Sequence, residues 1–360
     1  MRNYYPGITL FKVGGCLLVL LAHVILFRYT DHLPQTQLYY FFNVLKIIVP
    51  CFYVISGFLV YKGWSHAEDA GAYVRRYLIR FGGVYALFCL AFALEHVLPV
   101  LIRDGLTPAG MLLQSKILFI VFFLKGPYVQ LWFMPPLFFA VWVSYLLHSR
   151  FNPRISIVVM VLAFAAGQLL TGTLRIGLDE VTGGIHLLQN SYGGYVEQFA
   201  ERYLGYGITF VSLGIWIGKL EERFLSYSPG RLFALTVLVI LLEALPLYLF
   251  VPWRPEYALA ISMLPGTLLL FRGVLGVKAR FVKAYHPFIN LFSMVTFFGH
   301  IPLMRLNLLV GSDGASASTG IGDGLAYIAV TLVEIVLITL LMYRMSRRGR
   351  DTQQTKPLAF

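Results

Sequence analysis

The chain has 360 residues, of which 58% are hydrophobic and only 13% are charged. This composition excludes an ordinary soluble domain, in which about a quarter of the residues are charged, and it indicates a protein that resides in lipid. The formal net charge of +12 raises the alternative of nucleic-acid binding, which the placement of the basic residues decides below.

Apolar stretches of about 16 to 22 residues recur along the chain, and each is close to the length that a helix needs to cross a bilayer core. The short stretches of alternating polarity that are typical of a transmembrane β-barrel are missing from the sequence. Helices are therefore the expected way to satisfy the backbone in lipid. We predict an all-α polytopic bundle of about ten transmembrane spans, at residues 8–28, 38–61, 82–102, 131–147, 155–172, 203–218, 232–250, 256–271, 286–306 and 325–343.

The segments between these spans carry further predictions. The apolar N-terminal run continues to Phe27 without a small-residue cleavage site, so we interpret it as a retained first span. Residues 108–128 hold a short apolar run that polar residues and a proline interrupt, which favours an interfacial or re-entrant segment. The longest polar connection, residues 173–202, has a length that is often functional. The three cysteines show no metal-binding spacing, so neither a disulfide framework nor a metal site is expected.

The basic residues cluster in the segments between alternate predicted spans, which lie on one side of the membrane. If both termini are cytoplasmic, 20 of the 29 Lys and Arg residues fall in inner segments and 8 in outer segments. This imbalance fits the positive-inside rule, so topology explains the positive charge and no nucleic-acid partner is needed. The sequence thus predicts one membrane domain at residues 1–345, in contact with the lipid bilayer, and a disordered cytoplasmic tail at residues 346–360.

Two ionisable residues lie on one face of the first span. Lys12 and His23 are eleven residues apart, which returns a helix to nearly the same face and separates the two residues by about 16 Å along the axis. Because an ionisable residue inside a span is costly, His23 is a functional candidate, although a structural histidine that is hydrogen-bonded within the bundle is the alternative. Glu243 is a further charge within a predicted span, and its spacing does not assign a partner.

Several motifs resemble those of the acyltransferase family 3 membrane proteins. Residues 8–23, ITLFKVGGCLLVLLAH, resemble the family's opening signature of a basic residue, ten further residues and a histidine. Residues 49–59, VPCFYVISGFL, are similar to its Phe-rich stretch, and residues 73–81, YVRRYLIRF, are similar to its basic entry to the third span. Residues 131–134, LWFM, resemble its Trp-Phe-Leu element, and residues 293–302, SMVTFFGHIP, resemble its late element with a histidine and a proline.

The sequence also departs from these motifs. Lys12 replaces the commoner arginine, and Tyr77 stands where many relatives carry another arginine. Gly82 and Gly83 replace the usual proline region. The pattern as a whole is most similar to the branch that decorates exopolysaccharides.

The resemblance implies an enzyme, an acyltransferase that transfers groups other than aminoacyl groups in a bacterial inner membrane. It would move an acyl group, typically acetyl from acetyl-coenzyme A, to a hydroxyl of an extracytoplasmic glycan. His23 would then act as general base or carry the acyl group itself. His300, at about the same predicted depth, would position the acceptor or donate a hydrogen bond to the thioester oxyanion, although a structural histidine is an equal alternative.

The resemblance also implies residues that hold the donor. Arg76 and Arg80 are four residues apart, so on a helix they form one face that could bind the cofactor's phosphates, with Lys12 at the same depth. Ser56, next to Gly57, would let the pantetheine arm pass. The alternatives are that the cations only set the topology and that the small pair only packs.

Two other functions compete with this interpretation. A glycan or small-molecule transporter or flippase would also use many helices with buried charges, but the two halves of the sequence show no matching pair of broken helices. A structural or regulatory membrane subunit is the third reading. The sequence leaves open the oligomeric state and the choice between direct transfer and an acylated intermediate.

Overall fold

A computed structural model describes residues 4–29, 46–175, 179, 193–250, 259–279, 281–310 and 321–354. Nearly all residues in these ranges are helical, and β-structure within them is limited to one isolated bridge between Gly172 and Leu259. The all-α prediction is therefore confirmed.

Twelve helices are numbered here, and a short 3-10 helix at Val129–Leu131 precedes the fifth. The first six are α1 (Pro6–Tyr29), α2 (Ile48–Trp64), α3 (Ala70–Asp104), α4 (Pro108–Lys125), α5 (Met134–Arg150) and α6 (Pro153–Leu170). The next, α7, covers residues 193–219 in three consecutive segments, Gly193–Phe199, Ala200–Ile208 and Thr209–Lys219. The others are α8 (Glu221–Ser226), α9 (Pro229–Phe250), α10 (Met263–Gly276), α11 (Phe281–Val310) and α12 (Ile321–Gln354).

Local sequence signals explain where several of these helices begin. Asp69 caps α3, since its carboxylate accepts a hydrogen bond from the Ala72 amide. Thr107 caps α4 in the same way, and Asn152 caps α6. Both α4 and α6 have a proline at the first helical position, where its missing N–H costs nothing.

Among the described residues, seven helices are long and apolar enough to cross a membrane: Pro6–Val24, Ala70–Asp104, Pro108–Lys125, Val129–Arg150, Pro153–Leu170, Phe281–Asn307 and Gly324–Arg347. Two shorter apolar helices are α2 and α10. The chain is thus a multi-pass membrane protein. Each of the ten predicted ranges contains a helix in its described part, whereas residues 38–45 and 256–258 lie outside the described ranges. The count of ten and the cytoplasmic termini stay predictions.

Two predicted non-spanning segments are helical. Residues 108–125 form α4, whose length and composition would suit a full crossing, so its interfacial or re-entrant placement stays a prediction. Of the predicted outer loop at 173–202, residues 176–178 and 180–192 lie outside the described ranges, and residues 193–202 begin α7.

The helix α12 continues to Gln354, and the disorder predicted for residues 346–360 stays a prediction. Five of the nine residues at 346–354 are Arg or Gln, which are good helix formers. Residues 355–360 lie outside the described ranges, and the division of the chain at residue 345 stays a prediction.

The chain divides into two compact units, and the first combines residues 1–45 with residues 274–360. Within it, α1 and α11 pack side by side and run in the same direction, because their contacts rise together along both helices. These contacts join Thr9 to His286, Lys12 to Asn290 and His23 to His300. The helix α12 runs the opposite way against α11, as the contacts of Tyr327 with Met304 and of Tyr343 with Phe288 require.

The second unit comprises residues 46–273, and glycines permit a close contact between two of its helices. A Cβ on Gly57 of α2 would lie 2.1 Å from the Val211 carbonyl oxygen, and a Cβ on Gly214 of α7 would lie 2.1 Å from the Val54 carbonyl oxygen. The two helices therefore touch backbone to backbone, as small residues permit in membrane bundles.

Three helices of this unit contain π-helical turns, at Ala93–Val97, Val121–Lys125 and Ala200–Ile208. Side chains from the third turn bind carbonyls of the second. Tyr203 donates to the Phe123 carbonyl, and Arg202 donates to the Leu124 carbonyl. These contacts satisfy the carbonyl groups at the end of α4, where Gly126 (φ 80°) turns the chain.

Candidate active site

His23 lies on α1, eleven residues after Lys12 in the sequence, and its side chain is half-buried. Its Nδ1 atom is 2.9 Å from the Val19 carbonyl oxygen, one turn earlier in the same helix. A carbonyl oxygen only accepts hydrogen bonds, so Nδ1 carries the proton. In the neutral imidazole the lone pair then resides on Nε2, which is the nitrogen that could take a proton from a substrate.

His300 lies on α11 and is fully buried. Its Nδ1 is 2.8 Å from the Thr296 carbonyl oxygen and 3.1 Å from that of Phe297, which fixes the proton on Nδ1 here too. Nε2 of His300 is therefore an acceptor.

The two histidines meet between α1 and α11. Nε2 of His300 is 3.2 Å from Nδ1 of His23, and the ring centroids are 5.2 Å apart with the planes tilted by 40°. The Nδ1–H of His23 is thus shared between the Val19 carbonyl and His300. An imidazolium formed at His23 would keep both of these acceptors, so the pair can hold a positive charge that appears during proton transfer.

Lys12 occupies the same pair of helices at a different level. Its Nζ donates to Oδ1 of Asn290, at the long distance of 3.5 Å. Asn290 was not singled out from the sequence, and it lies ten residues before His300, almost as far along α11 as Lys12 lies from His23 along α1. The structure therefore joins Lys12 to the helix pair that carries the two histidines, about 16 Å from His23 by helix geometry.

Arg76 and Arg80 belong to the second unit, near the beginning of α3. Both side chains are exposed, and Nε of Arg76 donates to the Ala72 carbonyl over 3.3 Å. Within the part of the chain that the structure describes, neither guanidinium forms an ion pair. No carboxylate of the described residues neutralises their positive charge. A face that binds phosphate must keep its positive charge in this way.

Ser56 also belongs to the second unit, on α2. Its hydroxyl donates to the Phe52 carbonyl over 2.8 Å, and it also interacts with the hydroxyl of Tyr77. Its neighbour Gly57 makes the close helix contact described above. These contacts give Ser56 a packing role, and its part in donor binding stays a prediction.

Glu243 has partners that its spacing in the sequence did not reveal. Its carboxylate accepts from the Thr173 hydroxyl at 2.6 Å and from the amides of Ile261 at 2.6 Å and Ser262 at 2.8 Å. The two amides directly precede α10, so Glu243 satisfies backbone donors at that helix start. It is a structural carboxylate.

Trp132, the tryptophan of the LWFM element at residues 131–134, is half-buried and contacts two residues of α7. The Arg202 guanidinium lies over its ring, 5.0 Å from the centroid, and the Tyr206 ring meets it edge-on at 5.9 Å. The charge of Arg202 also interacts with that of Glu201, which in turn interacts with Lys46. Spacing in the sequence could not predict this cluster, because it joins Lys46 and Trp132 to a distant π-helical turn at Ala200–Ile208.

The described residues contain no group of three or more His, Cys, Asp or Glu side chains arranged to bind a metal ion. The chemistry that they offer is that of an imidazole pair that can accept and share a proton. If the hydroxyl of an acceptor substrate lay next to Nε2 of His23, this imidazole could act as the general base that removes its proton.

The chain was compared with protein families, curated proteins and solved structures. The sequence model of acyltransferase family 3, described as an acyltransferase domain, matches residues 5–344. No curated protein and no solved structure matches the chain.

Proposed function

Because the chain belongs to acyltransferase family 3, we propose that it transfers an acyl group, typically acetyl, from a cytoplasmic coenzyme A thioester to a hydroxyl of an extracytoplasmic glycan. The membrane acyltransferase activity follows from the family. The donor, the acceptor and a bacterial inner membrane as the location are our proposal.

The observation that carries the proposal is the contact of His23 with His300. Acyl transfer to a hydroxyl needs a group that removes the hydroxyl proton as the oxygen attacks the thioester carbonyl. The lone pair on Nε2 of His23 is suited to that step. His300 accepts from the opposite nitrogen and so orients the ring, in the manner of the third member of a catalytic triad.

The proton balance of the reaction is complete with this pair. His23 takes the hydroxyl proton as the C–O bond forms, and the tetrahedral intermediate then expels the thiolate of coenzyme A. The thiolate takes the proton back, which leaves an ester, a free thiol and a neutral His23. A variant of this route, in which Nε2 itself carries the acyl group, uses the same nitrogen.

The donor site is proposed on cationic residues. Arg76 and Arg80 are exposed on one face of α3 and could bind the phosphates of coenzyme A, and Lys12 could contribute a further charge. Ser56 would line the path of the pantetheine arm. The acceptor would approach His23 from the extracytoplasmic side.

The test is transfer of radiolabelled acetyl from acetyl-coenzyme A to membrane glycan by the purified protein in liposomes. We expect His23→Ala to abolish labelling, whereas His66→Ala should leave it unchanged. His66 is a matched control because its Nδ1 also contacts a carbonyl one turn earlier, that of Lys62 at 2.8 Å, but its side chain is exposed.

Two results would contradict the proposal. Transfer by correctly folded His23→Ala protein at the wild-type rate would exclude His23 as the base. Movement of glycan across the bilayer without any acyl transfer would favour a transporter instead.

A further inference from the structure

A cavity of about 720 Å³ lies within the second unit, between α3, α4, α5 and α7. Six residues of α3 form one wall, namely Gly82, Tyr85, Ala86, Cys89, Leu90 and Ala93. Their spacing of three and four residues puts them on one face of the helix. Three of the six are glycine or alanine, and this explains why the space between the helices is not filled.

The facing wall is aromatic, and the polar atoms beside the cavity bind one another. Phe122, Phe138 and Tyr203 contribute to this wall. The Tyr85 hydroxyl donates to the Phe122 carbonyl at 2.6 Å, and the Tyr203 hydroxyl donates to the Phe123 carbonyl. A sugar or a nucleotide in this cavity would lose hydrogen bonds to water without replacing them. The occupant must therefore be a hydrocarbon.

A basic residue, Arg75, lies on the same face of α3 as the residues that line this cavity. Arg75 precedes Gly82 by seven residues, so it lies on the same face of α3 to within about 20° and about 10 Å nearer the start of the helix. Ile79, which is 61% exposed, lies between them. The Arg75 side chain is exposed, and in the described part of the chain it forms no ion pair. Arg80 is two residues from Gly82 and thus on another face.

We propose that this cavity and Arg75 together bind one anionic phospholipid of the surrounding bilayer. A hydrocarbon chain of the lipid fills the cavity, and its phosphate pairs with the Arg75 guanidinium. Basic residues at the end of an apolar space between transmembrane helices have the chemistry that recognises such a lipid. This site is independent of acyl transfer, and it gives Gly82 a role.

The experiment uses photo-crosslinking of the full chain in vesicles of phosphatidylcholine. The vesicles contain a trace of phosphatidylglycerol with a diazirine on its acyl chain, and the labelled peptides are identified by mass spectrometry. We expect label on the α3 residues that line the cavity.

A pair of neighbouring glycines supplies matched variants. A Cβ on Gly82 or on Gly83 meets no atom within 4 Å, so both positions accept a side chain, but only Gly82 lines the cavity. Gly82→Phe should lower the crosslinking yield about tenfold or more, because the ring occupies the space of the lipid chain. Gly83→Phe should label like the wild type, and Ala86→Phe should behave like Gly82→Phe. Equal labelling of all four proteins would overturn the cavity assignment.

The head-group assignment has its own test. The wild type should label better with the phosphatidylglycerol probe than with a phosphatidylcholine probe, and Arg75→Gln should remove this preference while labelling persists. If the wild type labels equally with both probes, the cavity contacts the surrounding lipid without selecting its head group, and the proposal is overturned. Displacement of the probe by a polyprenyl phosphate, but not by unlabelled phosphatidylglycerol, would also overturn it. Neither readout depends on catalysis, so the failure of one proposal leaves the other standing.

Discussion

His23 and His300 each use a carbonyl of their own helix to fix the position of a proton. Val19 holds the Nδ1–H of His23, while Thr296 and Phe297 hold that of His300. Both anchors are backbone carbonyls of the histidine's own helix, and they favour the same Nδ1–H tautomer in the two residues. The direction of proton flow, from substrate to Nε2 of His23 with His300 behind it, is therefore set by the helices themselves.

At this scale the role of His300 can be separated from simple packing. His300→Gln can still accept the Nδ1–H of His23, but it cannot share a proton. We expect kcat to fall about 100-fold with little change in KM, because a group that assists proton transfer typically contributes that much. The measurement is the pH dependence of kcat for the wild type and the variant, since the variant should lose one titrating group. Unchanged kcat would mean that His300 only accepts a hydrogen bond.

Lys12 provides a second prediction for a single residue. If its charge helps to hold the donor's phosphates, Lys12→Met should raise KM for acetyl-coenzyme A about tenfold, which corresponds to about 1.4 kcal/mol of binding free energy. Lys12→Arg, which keeps the charge, should retain most of the affinity. The comparison requires initial rates over a range of donor concentrations. A fall in kcat with unchanged KM in Lys12→Met would assign Lys12 to the chemical step instead.

At the scale of helices, Glu243 connects α9 to the start of α10. Glu243→Gln replaces one carboxylate oxygen with an NH₂ group that cannot accept from the Ile261 or Ser262 amide. The lost hydrogen bond and the unpaired donor should lower the free energy of unfolding by about 1–3 kcal/mol. Thermal unfolding in detergent measures this change, with the exposed Glu222→Gln as control. An unaltered melting temperature in Glu243→Gln would contradict the structural role.

The contact between α2 and α7 leads to a similar prediction. Gly57→Ala would put a Cβ 2.1 Å from a backbone oxygen, and a backbone cannot move away as a flexible side chain can. We expect a loss of about 1–3 kcal/mol in stability from overpacking. Gly273→Ala is the control, because a Cβ there meets no atom within 4 Å. If both variants melt together with the wild type, the two helices are farther apart than described.

These elements also illustrate what the sequence could predict. Hydropathy located a helix in each predicted range, because a transmembrane helix must be apolar over its whole length. A family resemblance identified the motif that contains His300, and the contact between His300 and His23 agrees with the similar depth predicted for the two residues. The partners of Glu243 could not be found, because two of them are backbone amides, which every residue possesses. The π-helical turns were missed because they depend on tertiary contacts, such as those of Arg202 and Tyr203 with the end of α4.

For the whole molecule, the shared direction of α1 and α11 constrains the topology. Two membrane helices that run the same way have an odd number of crossings between them. Eight apolar helices lie between α1 and α11 in the described ranges, namely α2, α3, α4, α5, α6, α7, α9 and α10. If each crossed once and the residues outside these ranges added none, α1 and α11 would run in opposite directions. On that condition, an odd number of the eight must stay on one side of the bilayer, and a single helix is the smallest such number.

We expect α4 to be that helix, in agreement with its polar interruptions at Gln114 and Lys116. In a chain whose three cysteines are replaced by alanine, Asp104→Cys and Lys125→Cys should react with a membrane-impermeant maleimide from the same side. Labelling from opposite sides would show that α4 crosses. The next candidate would then be α10, whose 14 residues span only about 21 Å.

The pairing of His23 with His300 also has a consequence for biosynthesis. The two residues are separated by 277 positions, so the ribosome needs roughly 14–55 s after making His23 to produce its partner. Throughout that interval the nascent chain holds a histidine without the neighbour that orients it. A partly made protein should therefore be unable to consume the cell's thioesters. The same arrangement suggests that residues 1–45, expressed separately, could restore activity to a chain that lacks them.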